Sequence, residues 1–374
     1  MTGVRVTSVR WVSVIGAAIA MLAGCDSSES SGPATEAAST LHFASVRGVG
    51  QSALFVGNFI PGGTTNGILR YDGHGAFIDR MVPVGSGGLT IGCCLAFGPD
   101  DHLYVGSPMT STVLRYNGVT GEFIDRFIPP GSGGLLRPLV LVFRGGRLYV
   151  GDPGTRSIRR YDAFSGAPIA GGTFIETAGQ GTGAGDPQLF EFGPDGNVYV
   201  ASQATSRVLR YHGATGAFID EFVPAGPSGV VSPSGLTFGA DGNLYVSSTV
   251  TNEVRRYAFP TGELIDVFVP PGSGGLSIPV GMVFGPGGNL YVASAGSGDV
   301  LRYDGRTGEF IDAFVPAGRG GITGPRVIAF KSMITVCHRP PGNPNESSTL
   351  TIGYLVGREH VVGHGDTVGR CPGT

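Results

Sequence analysis

Few side chains in this sequence are suited to chemistry, and they fall into two groups. The first lies in a short apolar segment that recurs along the chain. Just inside its start, aligned copies carry Cys93, Leu139, Gln188, Ser234, Val280 and Arg326; three residues later they carry Ala96, Val142, Glu191, Thr237, Val283 and Ala329. Glu191 is the one charge at its position. A carboxylate among apolar residues is costly to bury unless it is paired. Glu191 is thus either a site residue or a structural one compensated by Arg326, by an arginine of a neighbouring loop, or by water. Cys93 and Cys94 are adjacent. Neighbouring residues of a strand point to opposite faces, so a bond between their sulfurs needs a strained turn. Two buried thiols are the expectation there, and a vicinal disulfide is the alternative.

The second group closes the chain and comprises Cys337, His338, His360, His364, Asp366 and Cys371, in a stretch rich in proline and glycine. Cys337 and Cys371 would close a 35-residue loop, worth roughly 3 to 4 kcal/mol on a chain-entropy argument. The three histidines with Asp366 are alternatively ligands for zinc or another divalent transition metal. The disulfide is preferred because no Cys-x-x-Cys pair appears. Both hold if the metal uses only histidine and aspartate.

The elements that must position the first group are set by an internal repeat. Arg70-Tyr71, Arg115-Tyr116, Arg160-Tyr161, Arg210-Tyr211, Arg256-Tyr257 and Arg302-Tyr303 recur every 45 to 50 residues. A period of that size, divided by Gly/Asp turns into four short apolar or alternating runs, is a four-stranded propeller blade. The fold is therefore expected to be all-β: a six-bladed propeller of antiparallel blades over residues 40–333, followed by a small irregular tail over 334–374. Residues 325–330 supply or reinforce the first blade's inner strand; residues 40–46 are the alternative. The repeated Arg and a following Asp, as in Arg115 and Asp125, are brought together by a hairpin and read as a structural ladder of ion pairs. The third blade has Ala170 where Asp is expected, so its outer strand is expected to be irregular. Asn58, Ser107, Asp152, Ser202, Ser248 and Ser294 recur after the second strand and are expected to cap strand ends, with binding of a polar ligand as the alternative. The channel mouth, built by loops leading into inner strands and leaving second strands, is the expected place for a ligand. Its candidates are Cys93, Cys94, Gln188, Glu191, Ser234 and Arg326.

With 66 glycines, 41% hydrophobic residues and a formal charge of -3, the chain is ample for a large core and has no electrostatic bias toward nucleic acid. Its first 25 residues combine Arg5 and Arg10, an apolar run too short to span a bilayer, and Leu22-Ala23-Gly24-Cys25. This resembles a bacterial lipoprotein signal, which implies cleavage before Cys25 and acylation of that residue. Residues 26–39 then read as a flexible tether.

Two further resemblances are carried by motifs. Pro-x-Gly-Leu-x-Phe, Asp-Gly-Asn-Leu-Tyr-Val and the Arg-Tyr strand resemble the NHL-type and streptogramin-lyase-like propellers over about residues 40–330. The lyase resemblance implies an elimination with a histidine base, a glutamate and a metal. His74, His102 and His212 fall in turns or at strand edges, so no such cluster assembles. Cys337-His338-Arg339-Pro340-Pro341-Gly342-Asn343-Pro344 followed by His364-Gly365-Asp366 and Cys371 resembles a small Cys/His tail module of secreted bacterial proteins. The functional expectation is a lipid-anchored, extracytoplasmic module of the cell envelope, periplasmic or at the cell surface. It would bind an envelope protein, a glycan or a small ligand. The alternative is a lyase- or lactonase-like enzyme using the channel mouth.

Overall fold

A computed structural model describes residues 51–60, 66–177, 187–338, 348–353 and 367–368. The signal segment with Cys25, the tether, and His360, His364, Asp366 and Cys371 lie outside the described residues. So do the side chains of Gln188, Cys337 and His338.

Six antiparallel sheets follow one another along the chain. Blade 2 is built from Cys94–Phe97, Leu103–Ser107, Thr112–Tyr116 and Phe123–Ile128; blade 3 from Val140–Arg144, Arg147–Asp152, Ser157–Asp162 and Pro168–Glu176. Blade 4 uses Pro187–Phe192, Val198–Ser202, Arg207–Tyr211 and Phe218–Val223; blade 5 uses Pro233–Phe238, Leu244–Ser248, Glu253–Tyr257 and Leu264–Val269. Blade 6 uses Pro279–Phe284, Leu290–Ser294, Asp299–Tyr303 and Phe310–Val315. Blade 1 joins the two ends of the propeller. Its inner strand is Pro325–His338, which pairs with Gln51–Asn58 in the register Leu54↔Phe330 and Val56↔Ile328, ahead of Gly67–Tyr71 and Phe77–Pro83. This is the first of the two closures open to the sequence, and it needs no partial seventh blade. The inner strand continues past residue 333 without a break, and Ser348–Gly353 and Thr367–Val368 pair onto its extension. The tail's described backbone therefore extends the blade 1 sheet.

The core is a set of apolar layers between successive blades. Tyr71, Tyr116, Tyr161, Tyr211, Tyr257 and Tyr303 are all fully buried, and burying one such ring is worth about 1.5–3 kcal/mol. A buried phenol also needs a partner for its hydroxyl. Tyr116 donates to the Ser86 carbonyl, Tyr161 to Ser132, Tyr303 to Ser273 and Tyr71 to Arg319. Each acceptor opens the Gly-Gly turn that links the previous blade to this one. In blades 1, 2, 3 and 6 the Arg-Tyr strand thus latches the blade to its predecessor's link, whereas the Tyr211 and Tyr257 hydroxyls find no such partner among the described residues.

The arginine of the same step pairs with the outer strand as expected. Arg115–Asp125, Arg256–Asp266 and Arg302–Asp312 are salt-bridged at 2.5 Å, and Arg70–Asp79 and Arg210–Asp220 repeat the contact. The carboxylates are 40–45% exposed, so each pair contributes at most about 1 kcal/mol. In blade 3, Ala170 takes a positive φ of 50° inside a bulged outer strand. Arg160 there stacks over the Phe174 ring at 4.9 Å.

Candidate functional site

The six inner strands run side by side around the channel, and their starts open on one face. A cavity of about 290 Å³ occupies that mouth, and Cys93, Leu139, Ser234, Val280 and Arg326 line it. These are five of the six residues aligned from the repeat; the sixth, Gln188, has no described side chain. Phe59, Pro108 and Met109 close the rim from the loops that leave the second strands. Met109 is 70% exposed. Cys94, Leu189 and Val327, each following one of the aligned positions, complete the wall with Ile91 and Arg137. Apart from the two cysteines the lining side chains are apolar, with Ser234, Arg137 and Arg326 as the polar exceptions.

Arg137 was not legible as a site residue, because it lies three residues before the blade 3 inner strand and the repeat carries no other arginine at its position. What places it is Asp152. This fully buried carboxylate accepts from the backbone N–H groups of Leu136 and Arg137, both at 2.8 Å, and from Arg159 Nε at 3.1 Å. Asn58 does the same work in blade 1: its Oδ1 accepts from Thr323 N at 3.0 Å and Gly324 N at 2.9 Å, two residues before Arg326. Ser248 donates to the Val231 carbonyl at 2.5 Å, and Ser294 accepts from Ser277 N at 2.9 Å. The recurring polar residues after the second strand therefore pin the loops that lead into the inner strands. They shape the mouth without lining it.

Neither Arg137 nor Arg326 forms an ion pair among the described residues, and no carboxylate lines the cavity. Arg326 Nε is buried with no hydrogen-bond partner, and desolvation pulls the guanidinium below its ordinary pKa. The backbone there is closely held, because a Cβ added at Gly281 would meet the Arg326 carbonyl oxygen at 2.5 Å. Two blades touch at this point through backbone alone, which requires glycine.

Cys93 and Cys94 are placed as a vicinal disulfide, with both residues buried. This is the geometry of the vicinal-disulfide alternative. The blade 2 inner strand begins at Cys94, so Cys93 lies in the preceding connection and strand alternation does not separate the two sulfurs.

Glu191 does not line the mouth cavity. It stands at the far end of its strand, opposite Tyr199, where it accepts hydrogen bonds from the Thr237 hydroxyl and the Phe238 backbone N–H. Burial pushes its carboxyl up to about 7, and those two donors only partly offset the shift. The compensation by Arg326 considered from sequence is not used. His74, His102 and His212 sit at turns between the inner and second or third and outer strands, at the opposite face. That face also holds a cleft of about 480 Å³ between blades 5 and 6, lined by turn glycines and by Asp241, Arg256, Asp304 and Arg306. Its charges are of both signs, and Arg256 is committed to Asp266.

No sequence-family profile matches the chain, and no curated protein matches it. Solved structures do. A chain of the nidogen/laminin complex is similar with a TM-score of 0.56 and 16% identity, over 75% of this chain and 98% of that one. A protein of unknown function from Bacteroides caccae gives 0.56 and 14%, also over 75% and 98%. A catalytically inactive histidine-to-alanine variant of virginiamycin B lyase from Staphylococcus aureus, solved with quinupristin, gives 0.50 and 16% over 77% and 93%. At these identities the likeness establishes the fold, which is the six-bladed propeller, and function has to be argued from the site.

Proposed function

We propose that this chain is a lipid-anchored, extracytoplasmic binding module whose ligand occupies the channel mouth. The observation that carries the reading is the mouth cavity, apolar in its walls, with a few fixed polar groups, and lined by the positions at which the repeats diverge. Concave, largely apolar sites with a few placed polar groups are what ligand recognition uses. Acylated Cys25 would hold the propeller at the membrane through residues 26–39. The tail, closed by a Cys337–Cys371 disulfide, with zinc on the histidines and Asp366 as the alternative, would stand beside blade 1.

One observation favours a second reading. Glu191, with its pKa raised to about 7, has the protonation behaviour of a general acid or base, as a lyase- or lactonase-like enzyme would need. A ligand-observed NMR screen of a small-molecule library separates the two. Under the binding reading, hits persist unchanged over hours and disappear in Ser234→Phe, which fills the mouth. Hits that are consumed by the wild type and not by Glu191→Gln would establish the enzyme instead. Hits indifferent to Ser234→Phe would remove the mouth from consideration.

A further inference from the structure

The mouth cavity has a sign. Its two charged lining residues are both arginines, Arg137 at the exposed rim and Arg326 within, and among the described residues neither meets a carboxylate. Elsewhere in this propeller arginines of the repeat are matched: five of the six Arg-Tyr arginines hold an aspartate, Arg159 holds Asp152 and Arg255 holds Glu253. Arg326 shares an Nε–H without an acceptor with Arg160; what sets it apart is that it lines the cavity with no carboxylate beside it. An anion seated on the guanidinium would supply the charge partner that the cavity lining lacks.

Deepening the reading of the mouth as a ligand site, on which this inference rests, we propose that the ligand is a small monocarboxylate with an apolar body, its carboxylate seated on Arg326 and its body against Leu139, Val280 and the Cys93–Cys94 pair. A guanidinium offers paired N–H donors in one plane, which match the two oxygens of a carboxylate. Ser234, 5% exposed and on the same wall, supplies one further donor. The rest of the lining is hydrocarbon or sulfur, so the remainder of the ligand has nothing polar to meet. At about 290 Å³ the cavity lies near the lower end of the range of small-molecule sites, roughly 300–1,000 Å³. That sets the body at the size of a medium-chain or single-ring acid. Arg137, at the rim, adds long-range attraction for the anion.

The test is calorimetric titration of the full mature chain with four probes of equal chain length: octanoate, octanol, octylamine and octyl phosphate. Octanoate is expected to bind at least tenfold more tightly than the alcohol and amine, and to outbind the phosphate. Arg326→Met, which keeps the packed stem, is expected to cost octanoate about ten- to a hundredfold while leaving octanol unchanged. Arg326→Lys keeps the charge without the fork, and is expected to restore only part of the loss. The octanol control and an unchanged circular dichroism spectrum show that the variants are folded. Equal affinity for octanoate and octanol, with both lost in Ser234→Phe, would overturn the carboxylate and leave the mouth as the ligand site. Tightest binding of the phosphate would overturn it in favour of another anion. Failure of all four probes would overturn the proposal, and the reading beneath it falls only if the wider NMR screen also finds nothing at the mouth.

Discussion

Glu191 gives the sharpest numerical consequence of this structure. Its carboxyl is raised from 4.5 to about 7 because the protein around it excludes water, with the Thr237 and Phe238 donors opposing. A folded-state pKa above the unfolded value means that the folded protein holds this proton more tightly. Its stabilising contribution is then fully present below about pH 4.5, declines between pH 4.5 and 7, and is gone above about pH 7. At about 1.4 kcal/mol per pH unit, the interval amounts to ~3 kcal/mol. Replacing Glu191 by Gln keeps the shape and the acceptor oxygen and removes the charge. The variant should therefore match wild type near pH 4.5 and exceed it by ~3 kcal/mol at pH 8. Urea unfolding at pH 4.5, 6, 7 and 8 measures this, followed by circular dichroism. Other titrating groups are common to both proteins, so the difference isolates Glu191. A difference that is the same at pH 4.5 and pH 8 would refute the reasoning, because it would mean that Glu191 titrates as an exposed carboxylate does.

Three further consequences follow from particular contacts. Lys331, the chain's one lysine, is 5% exposed and holds Asp101 through its carboxylate at 2.9 Å and its carbonyl at 2.7 Å; Lys331→Met should cost about 3–5 kcal/mol in urea unfolding by stranding that carboxylate, and Lys331→Met with Asp101→Asn should recover much of it. Peptide mapping of protein purified from an oxidising compartment should find Cys93 and Cys94 in one peptide two hydrogens light, and a freely alkylated pair would contradict the vicinal disulfide. Gly281→Ala places a methyl 2.5 Å from the Arg326 carbonyl; it should lower stability by about 1–3 kcal/mol and weaken ligand binding at the mouth, whereas the same change at the open Gly242 of the opposite face should leave binding alone.

The fold was legible because a propeller states its architecture six times. The Arg-Tyr step fixed the register of every third strand, the Asp nine or ten residues on fixed its neighbour in five blades, and the Phe near the end of each inner strand's channel stretch marked where the channel ends. The mouth was legible for the same reason: aligned repeats place Cys93, Leu139, Ser234, Val280 and Arg326 at one height, and they do line one cavity. Alignment failed where it ignored depth. Glu191 stands three residues beyond the mouth positions on the same strand, so it was grouped with residues it does not join. It also failed where a residue has no counterpart. Arg137 reaches the cavity because Asp152 holds its backbone amide, a long-range contact that no local pattern records. The approach of the vicinal sulfurs turns on a single residue of strand boundary, which the sequence pattern does not resolve. Lys331 ties the closing strand to blade 2 through Asp101, a role that its place in the sequence does not state.

The central claim, that this propeller binds its ligand in the channel mouth, is tested most directly by soaking crystals of the mature chain with an unbiased fragment library. Ligand density is expected to concentrate between Leu139, Ser234, Val280 and Arg326, with acidic fragments directed at the guanidinium. Density gathering instead on the opposite face or along the outer strands, with the mouth left to water throughout, would contradict it.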